Sequence, residues 1–222
     1  GAPEGWALLI SGPAGSGRST LAAHLAASPG LPIVRRRGAD LTGGASGEAP
    51  RAVALAFAEA RAKQATLVLD GIDGVAADRG APGSDGAALD ALLSEMDGHP
   101  LPLVCVADLP LRLDRAVLRR FTLTVWLGAL DPERAALAFR RVLGEEPPGP
   151  LPEGLVIGDF AAVRLRRDLL GGDADAAALR AWLVERAEAG GSLPRGVGFR
   201  VAASRTGRDG EAREDRAGGL AA

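Results

Sequence analysis

The chain has 222 residues, of which 47% are hydrophobic, so it is long enough to bury a core and too apolar to be intrinsically disordered. Its formal net charge of −2 provides no general attraction to nucleic acid or to an anionic membrane, and we expect neither as a partner. The one cysteine, Cys105, excludes a disulfide within the chain. It lies in an apolar run, which predicts a buried structural thiol and a reducing, cytoplasmic location.

Neither a membrane anchor nor a leader is expected from the sequence. No apolar run approaches the ~20 residues that a membrane-spanning helix needs. The first five residues, GAPEG, lack the pattern of a signal peptide. Because the sequence starts without Met, we expect a domain of a longer protein.

Short apolar runs alternate with helical patterns over the first 130 residues. The runs predict strands at 6–10, 31–34, 66–69, 101–107 and 122–127. Helical patterns lie between them, at 20–27, 52–63, 87–97 and 114–120, and the small residues of 38–47 predict a loop. This alternation predicts an α/β fold with a five-stranded parallel sheet flanked by helices.

Only helical patterns follow residue 130, and they cover about 131–143, 158–170 and 174–188. We therefore divide the chain into an α/β nucleotide-binding subdomain at 1–130, a helical subdomain at 131–190 and a tail at 191–222. The tail has no periodicity, which predicts disorder.

A glycine-rich segment follows the first predicted strand and is called the phosphate loop below. It comprises Gly12, Pro13, Ala14, Gly15, Ser16, Gly17, Arg18, Ser19 and Thr20. It fits the pattern G-x-x-x-x-G-K-[ST] except that Arg18 replaces lysine. Glycines let backbone N–H groups surround phosphate oxygens, and the helix that begins here adds a positive dipole end. The alternative is a strand–helix turn that binds nothing.

Two residues of this region are candidate ligands of Mg²⁺. The Ser19 hydroxyl is one, by its position in the phosphate-loop pattern. Asp70 is the other, because it ends an apolar strand whose tip is expected beside the phosphate loop. Arg18 keeps its charge but is bulkier than lysine, so we expect weakened rather than lost phosphate binding.

Further segments resemble AAA+ ATPases of the classical AAA clade, in particular its bacterial-type members. LDGIDGV at 69–75 resembles the D-E-I-D-x-[VL] segment of that family, LLSEMDG at 92–98 its L-L-x-E-M-D-G, and LDRAVLRRF at 113–121 its L-D-x-A-[LVI]-x-R-R-F. Residues 131–139 and 158–160 resemble the beginning and a later motif of its helical lid. The resemblance spans about 7–170 and implies a P-loop NTPase fold with a C-terminal lid, ATP and Mg²⁺ as cofactors, and an oligomeric ring.

The sequence departs from the family pattern at positions that carry chemistry. Gly71 occupies the position of the family's glutamate, which activates the attacking water, and glycine cannot accept a proton. Asp108 stands at the sensor asparagine, where an ionised carboxylate only accepts hydrogen bonds and repels phosphate. Ala45 occupies the position of the aromatic residue in the family's pore loop, so we do not expect this chain to thread polypeptide. We therefore expect weak or absent hydrolysis.

Arginines at the end of the 113–121 motif are retained. By the resemblance, Arg119 and Arg120 reach the γ-phosphate site of a neighbouring subunit, and with Asp70 and Asp108 they complete the candidate catalytic set. The plainer interpretation is two solvated arginines on a short helix. The arginines at 35–37 could contact phosphate or nucleic acid, but because the chain is net acidic we interpret them as a solvated strand end. We interpret Asp73 as a brace for the loop that follows its strand.

Four functions remain open from the sequence. The first is an ATP-binding domain with little hydrolysis that acts in a homo- or hetero-oligomer. The second is an active ATPase in which another acid, Asp73 being the near candidate, replaces Gly71. The third is a nucleotide-free scaffold for protein contacts. The fourth is a small-molecule kinase, which the 113–121 motif and the helical lid disfavour.

Overall fold

The computed structural model describes residues 5–42 and 48–189. The predicted tail at 191–222 and the pore-loop position Ala45 lie outside these residues. No helix in the described ranges is long and apolar enough to cross a membrane.

Five parallel strands form one sheet, as predicted. They are β1 (Ala7–Ser11), β2 (Ile33–Arg37), β3 (Thr66–Asp70), β4 (Leu103–Ala107) and β5 (Leu123–Trp126). Their order is β2-β3-β4-β1-β5, with every neighbouring pair parallel. The central strand β4 is buried along its whole length, because helices cover both faces of the sheet. Cys105 of β4 is fully buried, which confirms the predicted structural thiol, and burial raises the pKa of that thiol.

Five helices accompany the strands. They are α1 (Arg18–Ala27), α2 (Gly38–Thr42), α3 (Glu48–Ala62), α4 (Gly86–Asp97) and α5 (Arg115–Leu118), with short 3₁₀ turns at Ile72–Gly74 and Pro110–Arg112. α3 and α4 pack on one face of the sheet around Phe57 and Leu92, and α1 covers the other face with Ala22 and Ala26.

The loop prediction for 38–47 is wrong over residues 38–42, which form α2. The small residues there suggested a loop, but two interactions favour the helix. The Asp40 carboxylate accepts a hydrogen bond from the Arg37 backbone N–H at 3.0 Å. Leu41 is buried in the core, so it anchors the turn against the sheet.

Three helical segments form the C-terminal part. They are α6 (Pro132–Ala138), which continues as a π-helical turn at Phe139–Leu143, α7 (Ile157–Leu169) and α8 (Ala176–Ala189). They enclose a core of their own around Phe139, Phe160 and Leu183, separate from the two cores that flank the sheet. A separate core supports the division near residue 130, which stays a prediction.

Candidate functional site

Three candidate segments meet at the carboxyl edge of the sheet because of the strand order. β1, which leads into the phosphate loop, lies beside β4, and β4 lies beside β3. Ser11 pairs in register with Ala107, and Asp70 with Val106. The Gly12 backbone N–H then donates to the Asp108 carbonyl at 3.3 Å. This edge is where ligands bind in open α/β sheets.

The phosphate loop has the backbone that an anion cradle requires. Gly15 and Gly17 have φ values of 80° and 91°, a left-handed conformation that favours glycine. Among the residues that the structure describes, no side chain caps the N-terminus of α1, so none of them competes with an anion there. The Ser16 hydroxyl is buried and finds no hydrogen-bond partner within the described residues. A buried hydroxyl without a partner can donate a hydrogen bond to a bound phosphate oxygen. These residues fit the phosphates of a nucleotide.

The Arg18 side chain contacts the end of β4. Its Nη1 atom donates to the Ala107 carbonyl oxygen and to Asp108 Oδ1, each at 2.5 Å. Arg18 is 12% exposed and Asp108 is 72% exposed, so the arginine is enclosed while its partner faces solvent. Arg18 and Asp108 thus form an ion pair at the edge of the phosphate loop.

Asp70 lies beside Ser19 as expected, but it has a second partner. Ser19 Oγ donates to Asp70 Oδ1 at 3.1 Å. The Arg35 guanidinium of β2 forms an ion pair with the other oxygen, Oδ2. Hard oxygens are the ligands that Mg²⁺ takes, yet the Asp70 charge is already neutralised by Arg35. The arrangement therefore does not fit the predicted cation, and the assignment of Ser19 and Asp70 to Mg²⁺ stays a prediction.

Gly71 differs from the expected glutamate in backbone as well as side chain. Its φ is 90°, which L-residues with a side chain adopt at a cost of about 1–2 kcal/mol. Its carbonyl oxygen would lie 1.8 Å from a Cβ placed on Gly38, so this loop requires glycine at position 38 as well. A glutamate at this position would need the loop to change shape.

Asp73 is occupied as a structural group. Its two carboxylate oxygens accept the Asp108 backbone N–H at 3.0 and 3.1 Å. This contact ties the loop after β3 to the end of β4, as predicted for a brace. Because its oxygens are held in this way, Asp73 is poorly placed to act as a general base.

The two retained arginines differ in their contacts. Arg120 donates from Nε and Nη2 to the two oxygens of Asp97, at 2.6 and 2.7 Å. This bidentate hydrogen bonding lowers the pKa of Asp97. Arg119 is exposed, and no ion pair of its side chain occurs in the part of the chain that the structure describes. The structure does not bring either arginine to the phosphate loop of its own chain.

The first turn of α7 closes on the phosphate loop. The Gly158 backbone N–H donates to the Gly15 carbonyl at 2.8 Å. A Cβ on Gly158 would lie 2.8 Å from that oxygen, and a Cβ on Gly15 would lie 3.2 Å from Val156 Cγ2. The helical part therefore touches the cradle through backbone atoms.

Sequence reasoning missed two contributors to this site. Arg35 was interpreted as a solvated strand end, although a basic residue near the tip of a strand adjacent to β3 signals proximity to Asp70. Gly158 was identified only as part of a lid motif. Its contact with Gly15 joins segments more than 140 residues apart, and no local pattern reports such a contact.

Residues 8–129 match the model of the ATPase family associated with various cellular activities (AAA). The chain belongs to this family, which confirms the resemblance at the family level. It is 30% identical over 148 residues to the peroxisomal ATPase PEX6 of Candida glabrata, a match that covers 61% of this chain and 15% of that protein. It is 27% identical over 149 residues to spastin of Drosophila erecta and of Drosophila melanogaster, covering 63% of this chain and 20% of each spastin. The chain thus spans well under two thirds of the length of these relatives.

Proposed function

We propose that this chain is an ATP-binding domain that hydrolyses ATP slowly or not at all and that acts within an oligomer. Family membership supports ATP as the ligand. The observation that carries the proposal is the combination of an intact anion cradle with Gly71 at the position of the general base. The cradle binds phosphate through backbone amides, which the substitutions leave in place.

Slow hydrolysis follows from what the remaining residues can do. A general base is worth about 10²–10⁴-fold in rate, and Gly71 supplies none. Asp108 adds a negative charge where the family has a neutral amide, and this charge opposes the one that develops on the transferred phosphoryl group. An active ATPase would need another acid, and Asp73 is held by the Asp108 N–H.

An oligomer is supported by Arg119. Its side chain is exposed on the 113–121 motif, where the family's arginines serve a neighbouring subunit. The binding partner under this proposal is a second copy of the chain or a related active subunit. The single, buried cysteine supports a cytoplasmic location.

One observation favours the nucleotide-free scaffold as a second candidate. Both cations near the cradle, Arg18 and Arg35, are paired with carboxylates of the same chain. A site that has neutralised its own positive charge attracts an anion less strongly. Asp108 is 72% exposed, however, and exposed pairs are worth only about 0–1 kcal/mol, so a triphosphate can displace the Arg18–Asp108 pair.

A calorimetric titration of Mg·ATP into the purified chain separates these candidates. We expect saturable binding with a Kd of about 1–100 μM, a free energy that a few charge-assisted hydrogen bonds supply. Absence of heat together with absence of thermal stabilisation at millimolar ATP would contradict ATP binding and favour the scaffold.

A further inference from the structure

We propose that the Arg35 guanidinium takes the place of the divalent cation beside Asp70, so that this domain binds ATP without Mg²⁺. The inference rests on the proposed ATP binding and identifies the group that balances the negative charge of the phosphates. It concerns a residue outside the phosphate loop, on the edge strand β2.

Backbone register brings Arg35 to the site. β2 pairs in parallel with β3, with Arg35 opposite Val68 and Arg37 opposite Asp70. From there the long Arg35 side chain reaches forward to Asp70 Oδ2. Ser19 donates to Oδ1 of the same carboxylate at 3.1 Å. One carboxylate therefore joins the guanidinium to the first turn of α1, the turn that follows the phosphate cradle.

The charges at this point are already balanced. Asp70 is 17% exposed, so its negative charge is largely shielded from water and benefits from a fixed partner. The Arg35 guanidinium, in contact with Oδ2, supplies that partner. A metal ion would have to displace Arg35 from Asp70 before it could bind there. The carboxylate that would attract the ion is thus neutralised in advance.

The guanidinium also retains donors for a ligand. It carries five N–H donors in a planar fork, and Asp70 engages one of its terminal nitrogens. The side chain is 46% exposed, so part of it remains open to solvent beside Asp70. A guanidinium that bridges a carboxylate and phosphate oxygens performs part of the electrostatic work of a metal ion, with one positive charge instead of two.

A plainer alternative is that Arg35 and Asp70 form a surface ion pair with no role in binding. Neighbouring Arg36 provides the comparison, because it points to the other side of β2 and pairs with Glu59 of α3. Arg36 is 36% exposed and Arg35 46% exposed, so the two pairs are similarly open to solvent. Only the Arg35 pair involves the candidate site.

The test is calorimetric titration of ATP into the full chain, once in excess Mg²⁺ and once in EDTA. Wild type is compared with Arg35→Gln and with the control Arg36→Gln, which removes the same charge from the same strand. Arg35→Lys is the second variant, since it keeps the charge but loses the fork. Melting temperatures of all four proteins show that each is folded.

We expect wild type and Arg36→Gln to bind ATP in EDTA within about threefold of their affinity in Mg²⁺. Arg35→Gln should lose about tenfold or more in EDTA and recover most of that loss in Mg²⁺. Arg35→Lys should fall between them. Wild-type binding that requires Mg²⁺, or unchanged EDTA binding by Arg35→Gln, would overturn the role of Arg35 and leave ATP binding intact. Failure of wild type to bind in either buffer would overturn ATP binding itself, and the inference with it.

Discussion

At the residue scale, two substitutions in the site face each other. Arg18 stands where the pattern has lysine, Asp108 stands where the family has asparagine, and the two side chains are 2.5 Å apart. Each change read alone predicts weaker nucleotide binding. Together they form an ion pair, so part of the hydrogen-bonding capacity of Arg18 is used by Asp108.

Asp108→Asn tests this pairing. Removing the charge should free Arg18 and abolish the repulsion between Asp108 and a triphosphate, so ATP should bind about tenfold more tightly. Asp90→Asn is the control, because Asp90, on the surface of α4, also pairs with an arginine, Arg79. Calorimetry gives both affinities. An Asp108→Asn affinity equal to that of Asp90→Asn would contradict the role given to the pair.

The ring of His99 makes the stability of the fold depend on pH. Its ring contacts Phe57 edge-on, with centroids 5.0 Å apart, and both ring nitrogens are buried without a partner in the described part of the chain. Burial, assisted by the charge of Arg61, lowers the pKa of His99 below its ordinary 6.5. The unfolded chain therefore binds more protons than the folded chain, and stability rises with pH through this range.

The melting temperature should accordingly be highest above pH 6.5 and should fall as the pH drops below that value. His99→Gln removes the titrating group, so the fall should become shallower. His24 is exposed on α1, and His24→Gln should leave the wild-type profile unchanged. A His99→Gln profile that follows wild type would show that other groups set the pH dependence.

At the element scale, the sheet was predictable and its edges were less so. β3 and β4 are continuous apolar runs because both faces of a parallel sheet are covered, and the sequence located them within two residues. β2 lies at the edge and carries three arginines, so its apolar signal ends at Val34 while the strand continues to Arg37. The same difference decides which site residues were predictable. Ser19 and Asp70 come after apolar runs that place them at the edge of the sheet, whereas Arg35 lies beyond the apolar run of β2.

The contact between α7 and the phosphate loop gives a prediction at this scale. Gly158→Ala would place a methyl group 2.8 Å from the Gly15 carbonyl oxygen. Overpacking of this kind costs about 1–3 kcal/mol, which corresponds to a fall of about 2–10 °C in melting temperature for a domain of this size. ATP affinity should fall as well, because the cradle itself must shift.

Gly86→Ala is the matched control for Gly158→Ala. Gly86 also lies in the first turn of a helix, α4, and a methyl group there meets nothing within 4 Å. Replacing this glycine should leave the melting temperature unchanged or raise it slightly, since alanine is the better helix former. Equal melting temperatures for the two variants would contradict the close approach of α7 to the loop.

At the scale of the whole molecule, we predict separate roles for the two arginines that follow α5, Arg119 and Arg120. Arg120 is engaged with Asp97 of its own chain, whereas Arg119 is exposed. Arg119→Ala should abolish ATP-dependent assembly without changing the melting temperature of the monomer. Arg120→Ala should lower that temperature, because it breaks a bidentate pair. Analytical ultracentrifugation with and without ATP measures assembly, and normal assembly of Arg119→Ala would count against an intersubunit role.

The central claim is that the chain binds ATP but turns it over poorly, and phosphate release at saturating ATP tests it most directly. Ordinary enzymes turn over at about 1–10³ per second, and loss of the general base removes about 10²–10⁴-fold. A median turnover of about 10 per second, reduced by that factor, gives about 0.001–0.1 per second, so we predict release below about 0.1 per second, by the chain alone and at concentrations that favour assembly. Release at about 1 per second or faster from pure protein would contradict the account. It would show that a group other than the residue at position 71 activates the water.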